Sequence, residues 1–302
     1  MRTRHSPTVR LRRLSLELRR LREHAGLTLT DAAKAAGWNQ SNLSRAETRQ
    51  WRQPNPAHLA ALLDVYGVTE DAQPQRRAEL LQLAREGRRR GWWADYPISD
   101  AYGTYVGLEA EAATVRNWEP VVIPGLLQTA AYARALITAR APRLTSDQVD
   151  ELVALRIERQ ERLLSSDDPI RLWAIVCETA LRTMVGGAAV MAEQLDHLHT
   201  IAQLGHVTLQ VLSFAAGAAP ARGPFAVLTF PHPVDPEAVY VETPAGDLWV
   251  EDPAAVAGFL SGWERLIAVS LPAADTITVI TARANYLRAK GGTGDGPANG
   301  VA

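Results

Sequence analysis

Leu11, Leu14, Leu18 and Leu21 recur at the spacing of one helix face, and the run stops at Gly26, a natural helix end. Thr28 with Asp31 three residues later predicts a capped start for a second, short helix, DAAKAA, which Gly37 ends. Asn39 caps a third helix over about 40 to 48. Asn55 with Pro56 opens a fourth, whose stripe is Leu59, Leu62, Leu63 and Tyr66 before Gly67. The first 70 residues therefore read as four or five compact helices. Residues 71 to 100 hold one more short helix, a charge run and a tryptophan pair, and read as a helical connector. Helices are expected over about 104 to 117, 126 to 140 and 146 to 165. The pattern then shortens: IRLWAIVC, HVTLQVLSF, PFAVLTF, AVYVET and GDLWV are rich in β-branched and aromatic residues between Gly, Pro and Asp turns. Two further helices, about 180 to 204 and 253 to 268, accompany these strands. Residues 101 to 290 are thus expected to form an α+β domain with a small, mainly antiparallel sheet, followed by a disordered tail over 291 to 302.

Charge sharpens this division. Residues 1 to 94 carry 18 Lys and Arg against 9 Asp and Glu, a balance of +9; residues 95 to 302 carry 14 against 24, a balance of −10. A basic N-terminal part joined to an acidic one suggests a polyanion-binding domain tied to a domain with another task. The single Cys177 excludes an intrachain disulfide framework and a CxxC metal or redox motif. No stretch of about 18 apolar residues occurs. A soluble, cytoplasmic protein without membrane association is expected.

The third helix carries the most specific chemistry. On a helical wheel Leu43 and Ala46 point one way, while Ser41, Arg45 and Arg49 point the other, with Asn42 at the edge and Gln40 in the first turn. Short hydrogen-bonding groups plus arginine match the donors and acceptors displayed in a DNA major groove. A short preceding helix with Ala33 at its crossing, and Gly37 at the turn, predict helix-turn-helix geometry. The candidate DNA-contacting set is Thr28, Lys34, Asn39, Gln40, Ser41, Asn42, Arg45, Arg49 and Arg52, with Arg10, Arg12 and Arg13 as further phosphate contacts.

The segment LRRLREHAGLTLTDAAKAAGWNQSNLSRAE resembles the DNA-binding domain of lambda-repressor-like, XRE-type transcription factors, in which a five-helix bundle places its third helix in the major groove. The resemblance implies Thr28 as the helix 2 cap, Gly37 as the turn, Asn39 as the helix 3 cap, and a structural pairing of Glu47 with Arg19 or Arg22. Leu29 departs from the pattern, standing where many relatives place a Gln that reaches DNA. RRGWWADY, YVGLEAEAATVRNWEPVVIPGLLQTAAYARALI, VCETALRTMVGG, QLDHL and GPFAVLTF are similar to actinobacterial regulators that join such a domain to a C-terminal domain of unknown function. Those regulators are described as antitoxin-like and encoded beside a small partner protein. A dimeric, double-stranded-DNA-binding regulator controlled by a partner or a small effector is the expectation.

Enzyme readings of the second part find little footing. His197 and His199 are two apart on a helix and diverge, Glu109 and Glu111 likewise, and Cys177 ends an apolar strand. No GxSxG, P-loop or dinucleotide fingerprint occurs. No catalytic residue, metal or cofactor is therefore expected. The helix start PGLLQT at 124 to 129 reads as a structural loop. Trp92, Trp93 and Tyr96 beside Arg88, Arg89 and Arg90 suggest either a stacking platform for nucleic acid or, more simply, an anchor for the connector.

Overall fold

The computed structural model describes residues 6–48, 51, 53–232, 234–243 and 245–291. The expected tail over 291 to 302 lies almost wholly outside these residues. The chain divides into two compact units. One runs from the N-terminus to Asp95 and includes Gly103–Glu111; the other comprises Tyr96–Tyr102 and the chain from Ala112 onward.

The first unit is all-helical: α1 Pro7–His24, α2 Leu29–Ala35, α3 Gln40–Glu47, α4 Pro56–Val65 and α5 Pro74–Gly87. Each of the middle three begins on a local cap. Thr28 Oγ accepts from the Asp31 N–H, Asn39 Oδ1 from Ser41 N–H and Asn55 Oδ1 from Ala57 N–H, with Pro56 preset for the first turn. The core gathers Leu14, Leu18, Leu43, Leu59, Leu62 and Leu63 with Ala32, Ala33 and Ala46. Leu80 and Ala84 of α5 join it, so half of the stretch expected as a connector packs within the bundle because its apolar face faces α1 and α4. In the Gly103–Glu111 stretch of the same unit, Gly107 lies so close to Thr8 and the Trp93 ring that any side chain there would collide with both.

The second unit is α+β. Its six-stranded mixed sheet runs β3-β2-β1-β4-β5-β6, built from β1 Thr114–Glu119, β2 Arg171–Cys177, β3 Val207–Leu212, β4 Phe225–Thr229, β5 Ala238–Val241 and β6 Leu248–Val250. Helix α6 Asp100–Glu109, most of which belongs to the first unit, comes before the sheet in the chain. Between β1 and β2 run α7 Ala130–Arg140 and α8 Ser146–Gln160, and between β2 and β3 run α9 Glu178–Arg182 and α10 Gly187–Ile201. These crossovers make β1·β2 and β2·β3 parallel, while the three remaining pairings are antiparallel. After β6, α11 Pro253–Val269 covers one face, where Trp263 and Leu266 pack with Trp118, Ile175, Val227 and Val239. Then α12 Ala273–Gly291 runs beside α10 and β3.

Two elements differ from expectation. The central strand β1 occupies residues expected to finish a helix, because pairing to β2 on one side and β4 on the other outweighs a helical local pattern. Helix α12 was not anticipated: TITVITA is rich in β-branched residues, yet Thr276, Ile280, Ala284 and Leu287 are buried along one helix face. No single helix among the described residues is long and apolar enough to cross a membrane.

Candidate nucleic-acid interface

The helix pair α2–α3 is fixed from beneath. Gly37, in a left-handed conformation with φ of 67°, turns the chain between them, and Trp38 N–H closes the turn on the Ala33 carbonyl at 2.7 Å. Leu43 and Ala46 of α3 are fully buried against Ala32 and Ala33. The strongest tether is ionic. Arg22 of α1 donates from Nε and Nη2 to the two carboxylate oxygens of Glu47, each at 2.8 Å, and from Nη1 to the Leu27 carbonyl at 3.0 Å. One guanidinium therefore holds α1, the α1–α2 turn and the end of α3 together. The Glu47 side chain is only 4% exposed, and its hydrogen bonds to Arg22 raise the arginine's pKa. Arg22, rather than Arg19, is the partner; Arg19 pairs with Glu23 on its own helix.

What the bundle leaves outside is polar. Gln40, Ser41, Asn42 and Arg45 are all exposed on α3, and Arg45 folds back on its own helix, donating from Nη2 to Asn42 Oδ1 at 2.5 Å and from Nε to the Ser41 carbonyl at 3.3 Å. Those two bonds aim the guanidinium and the amide as one unit. Thr28, Lys34 and Asn39 are exposed as well, Thr28 and Asn39 serving as caps. Arg49 and Arg52 lie outside the described residues. Leu29 is partly buried against the helical core.

A notch of about 410 Å³ opens beside this face, bounded by Gly37, Trp38, Asn42, Arg45, Trp51 and His58. Trp38 meets Trp51 edge-on at 5.3 Å and His58 at 6.1 Å. Sequence reasoning did not single out Trp38 or His58; two tryptophans flanking a polar helix were the signal available.

The phosphate-contact expectation for α1 needs correction. Arg12 is only 3% exposed, because it falls on the same face of α1 as Val9 and Ser15. Arg10 is largely buried and pairs with Glu86 at 2.9 Å and Glu111 at 3.2 Å. Neither side chain is presented on the surface of the unit. Trp93 is likewise buried, edge-on to Trp92 at 5.8 Å, so it offers no open stacking platform.

In the second unit the PGLLQT loop is clasped by side-chain amides. Gln128 Nε2 donates to the Ile123 carbonyl, Gln160 Nε2 to the Gly125 and Gln128 carbonyls, and Gln194 Nε2 to the Leu127 carbonyl while its Oε1 accepts from Thr129 N–H. The Gly125, Leu127 and Gln128 carbonyls and the Thr129 N–H are thus bonded within the protein. His199 meets Thr281 at 3.2 Å and burial depresses the pKa of His197, while Cys177 sits 3.3 Å from Thr179 Oγ1.

Residues 13–75 match a helix-turn-helix domain family, spanning α2, α3 and their supports. Residues 102–282, more than half of the chain, match the family described as a domain of unknown function, DUF5753. No curated protein and no solved structure matches the chain. The chain belongs to the DUF5753 family and carries a helix-turn-helix domain ahead of that module.

Proposed function

We propose that this protein is a sequence-specific regulator of transcription, of the XRE type and without enzymatic activity, that binds duplex DNA through α3. The observation that carries the reading is the exposed row Gln40, Ser41, Asn42 and Arg45 on a helix whose other side is locked by Arg22 and Glu47. A rigid element presenting amides and a guanidinium suits base edges in a major groove. Because one such unit covers little DNA, the working form is a homodimer on an inverted repeat. The domain over about 101 to 290 controls that binding through an effector or a small protein encoded nearby, in an antitoxin-like arrangement, and the complex works in the cytoplasm.

The test is to select a preferred duplex from random sequence with the full chain, then to measure Arg45→Ala and Asn42→Ala on that duplex and on scrambled DNA. Loss of about 1 to 3 kcal/mol on the selected site with a much smaller loss on scrambled DNA is the expected result. Equal losses on both, or no selected sequence, would remove α3 from base reading. Sedimentation of the same complexes tests the dimer: one protomer on one unrepeated site contradicts it.

A further inference from the structure

The acidic half of the chain contains a place where its charge reverses. Residues 179–192, 213–234 and 276–291 hold no Asp or Glu but five of the half's 14 cations: Arg182, Arg222, Arg283, Arg288 and Lys290. The fold brings parts of these segments together. Arg182, at the end of α9, lies over the Phe214 ring at 5.5 Å, and Arg283 of α12 donates to the Leu181 carbonyl at 3.3 Å. On α12 the Tyr286 ring has Arg283 at 5.0 Å and Lys290 at 5.3 Å. The hydrogen bond from Lys290, with the fields of Lys290, Arg283 and Arg182, lowers the Tyr286 pKa.

Three large apolar side chains stand open on or beside these segments. Phe214 is 53% exposed, Met184 51% and Tyr286 47%. Beside Phe214, Glu178 accepts from Ser213 Oγ, the Phe214 N–H and Arg182, and its side chain is 12% exposed. It fixes Arg182 and Phe214 relative to each other and presents little charge outward.

We propose that Arg182, Met184, Phe214, Arg283, Tyr286 and Lys290 form a docking face for an acidic segment of a partner protein that inserts apolar or aromatic anchors. This deepens the reading of residues 101 to 290 as the control domain and depends on it only for any consequence at the DNA. Aromatic and methionine side chains ringed by arginine are the composition of an interface core. The cations select an acidic occupant, since complementary charge favours encounter and like charge suppresses wrong partners. A nucleic acid is the poorer match: its evenly repeated phosphates would extend past the patch onto a domain of net charge −10, whereas a peptide can confine its carboxylates to the few positions within roughly 10 Å of the local cations at moderate salt. A second copy docking the same face across a two-fold axis would set arginine against arginine.

The experiment selects a displayed library of random twelve-residue peptides on the full chain, in parallel with the Tyr286→Ser/Lys290→Glu variant and with Met184→Ser on a different element. All three positions are exposed, and thermal unfolding confirms that the variants fold. The expected survivors are rich in Asp and Glu with Leu, Phe or Trp anchors, bind about tenfold more weakly to either variant, and weaken as salt rises. Basic or neutral survivors, equal enrichment on all three proteins, or no survivors would overturn the proposal. So would displacement of the peptide by a single-stranded oligonucleotide, which would make the face a nucleic-acid surface, or a dimer lost in both variants, which would make it a self-contact. Duplex binding measured on the same preparations separates the outcomes: intact DNA binding with no peptide sinks only this face, and the converse sinks only the DNA reading.

Discussion

Glu47 and Arg45 are two residues apart on α3, one buried and one exposed, and they should fail in opposite ways. Replacing Glu47 by Ala removes both 2.8 Å bonds from Arg22 and leaves that guanidinium with the Leu27 carbonyl, the exposed Glu23 carboxylate at 3.8 Å and the little solvent its 14% exposure allows. Breaking a fully buried pair costs about 3 to 5 kcal/mol, and partial access to water places this case lower, at about 2 to 3 kcal/mol. That is a large share of the stability of a bundle this size. Hydrogen exchange of the α1 and α3 amides in the full chain reads the effect locally, where every 1.4 kcal/mol is about a tenfold faster exchange. Glu47→Ala should therefore speed exchange by about 30- to 140-fold while leaving the preferred DNA sequence unchanged. Arg45→Ala should change protection by no more than about 0.5 kcal/mol and broaden the preferred sequence. A double variant with Arg22→Ala should lose less than the sum of the single losses. Unchanged protection in Glu47→Ala, or equal loosening in Arg45→Ala, would refute the division of labour between the two faces.

The remaining expectations concern pH and salt. Glu119, at the end of β1, has its pKa raised to about 8 by burial and by neighbouring Glu242, against the opposing fields of Arg140 and Arg156. The folded chain therefore keeps a proton that the unfolded chain releases near pH 4.5: this contribution is fully present below that pH and is lost as pH rises to about 8. The ceiling is about 5 kcal/mol, from 1.36 kcal/mol per unit. Glu119→Gln should flatten this part of the melting-temperature profile and be the more stable form at pH 8; superimposable profiles would exclude the effect. For DNA binding, Lys34→Met should reduce the slope of log affinity against log salt by about 0.9 per bound protomer. Arg12→Met should instead leave the slope intact, and a change of slope in that variant would return Arg12 to the interface.

The helices of the first unit were legible because their boundaries are chemical and local. Thr28, Asn39 and Asn55 satisfy backbone donors two or three residues away, and such bonds need nothing from the rest of the fold. Strand β1 has no such marker. Between Glu109 and Thr114 the sequence offers neither Gly nor Pro, and what makes TVRNWE a strand is its register with Arg171–Val176 and Phe225–Thr229. Missing β1 also hid the parallel half of the sheet, since the helices between β1, β2 and β3 announce crossovers only once all three strands are recognised. Helix α12 failed for the opposite reason: its threonines and isoleucines favour a strand locally, and burial beside α10 and β3 decides. On the candidate interface, the exposed arc of α3 followed from a wheel, whereas the wall of Trp38, Trp51 and His58 joins residues from three segments.

Net charge misleads in both units for one physical cause, the short range of electrostatics in salt. The +9 of residues 1 to 94 overstates what a polyanion would meet. Arg12 is buried, Arg10 and Arg22 neutralise Glu86, Glu111 and Glu47, and Arg77 is spent on Asp64 and the carbonyls of Val68 and Ala60. Much of the apparent DNA-binding charge is thus the internal wiring of the bundle, and the exposed side of α2 and α3 contributes mainly Lys34 and Arg45 among the described residues. The −10 that follows hides the reverse: five cations in segments free of acid, several of them gathered around exposed aromatic rings. A partner approaching within about a Debye length meets these local groups and not the sum, so side-chain placement decides which face binds what.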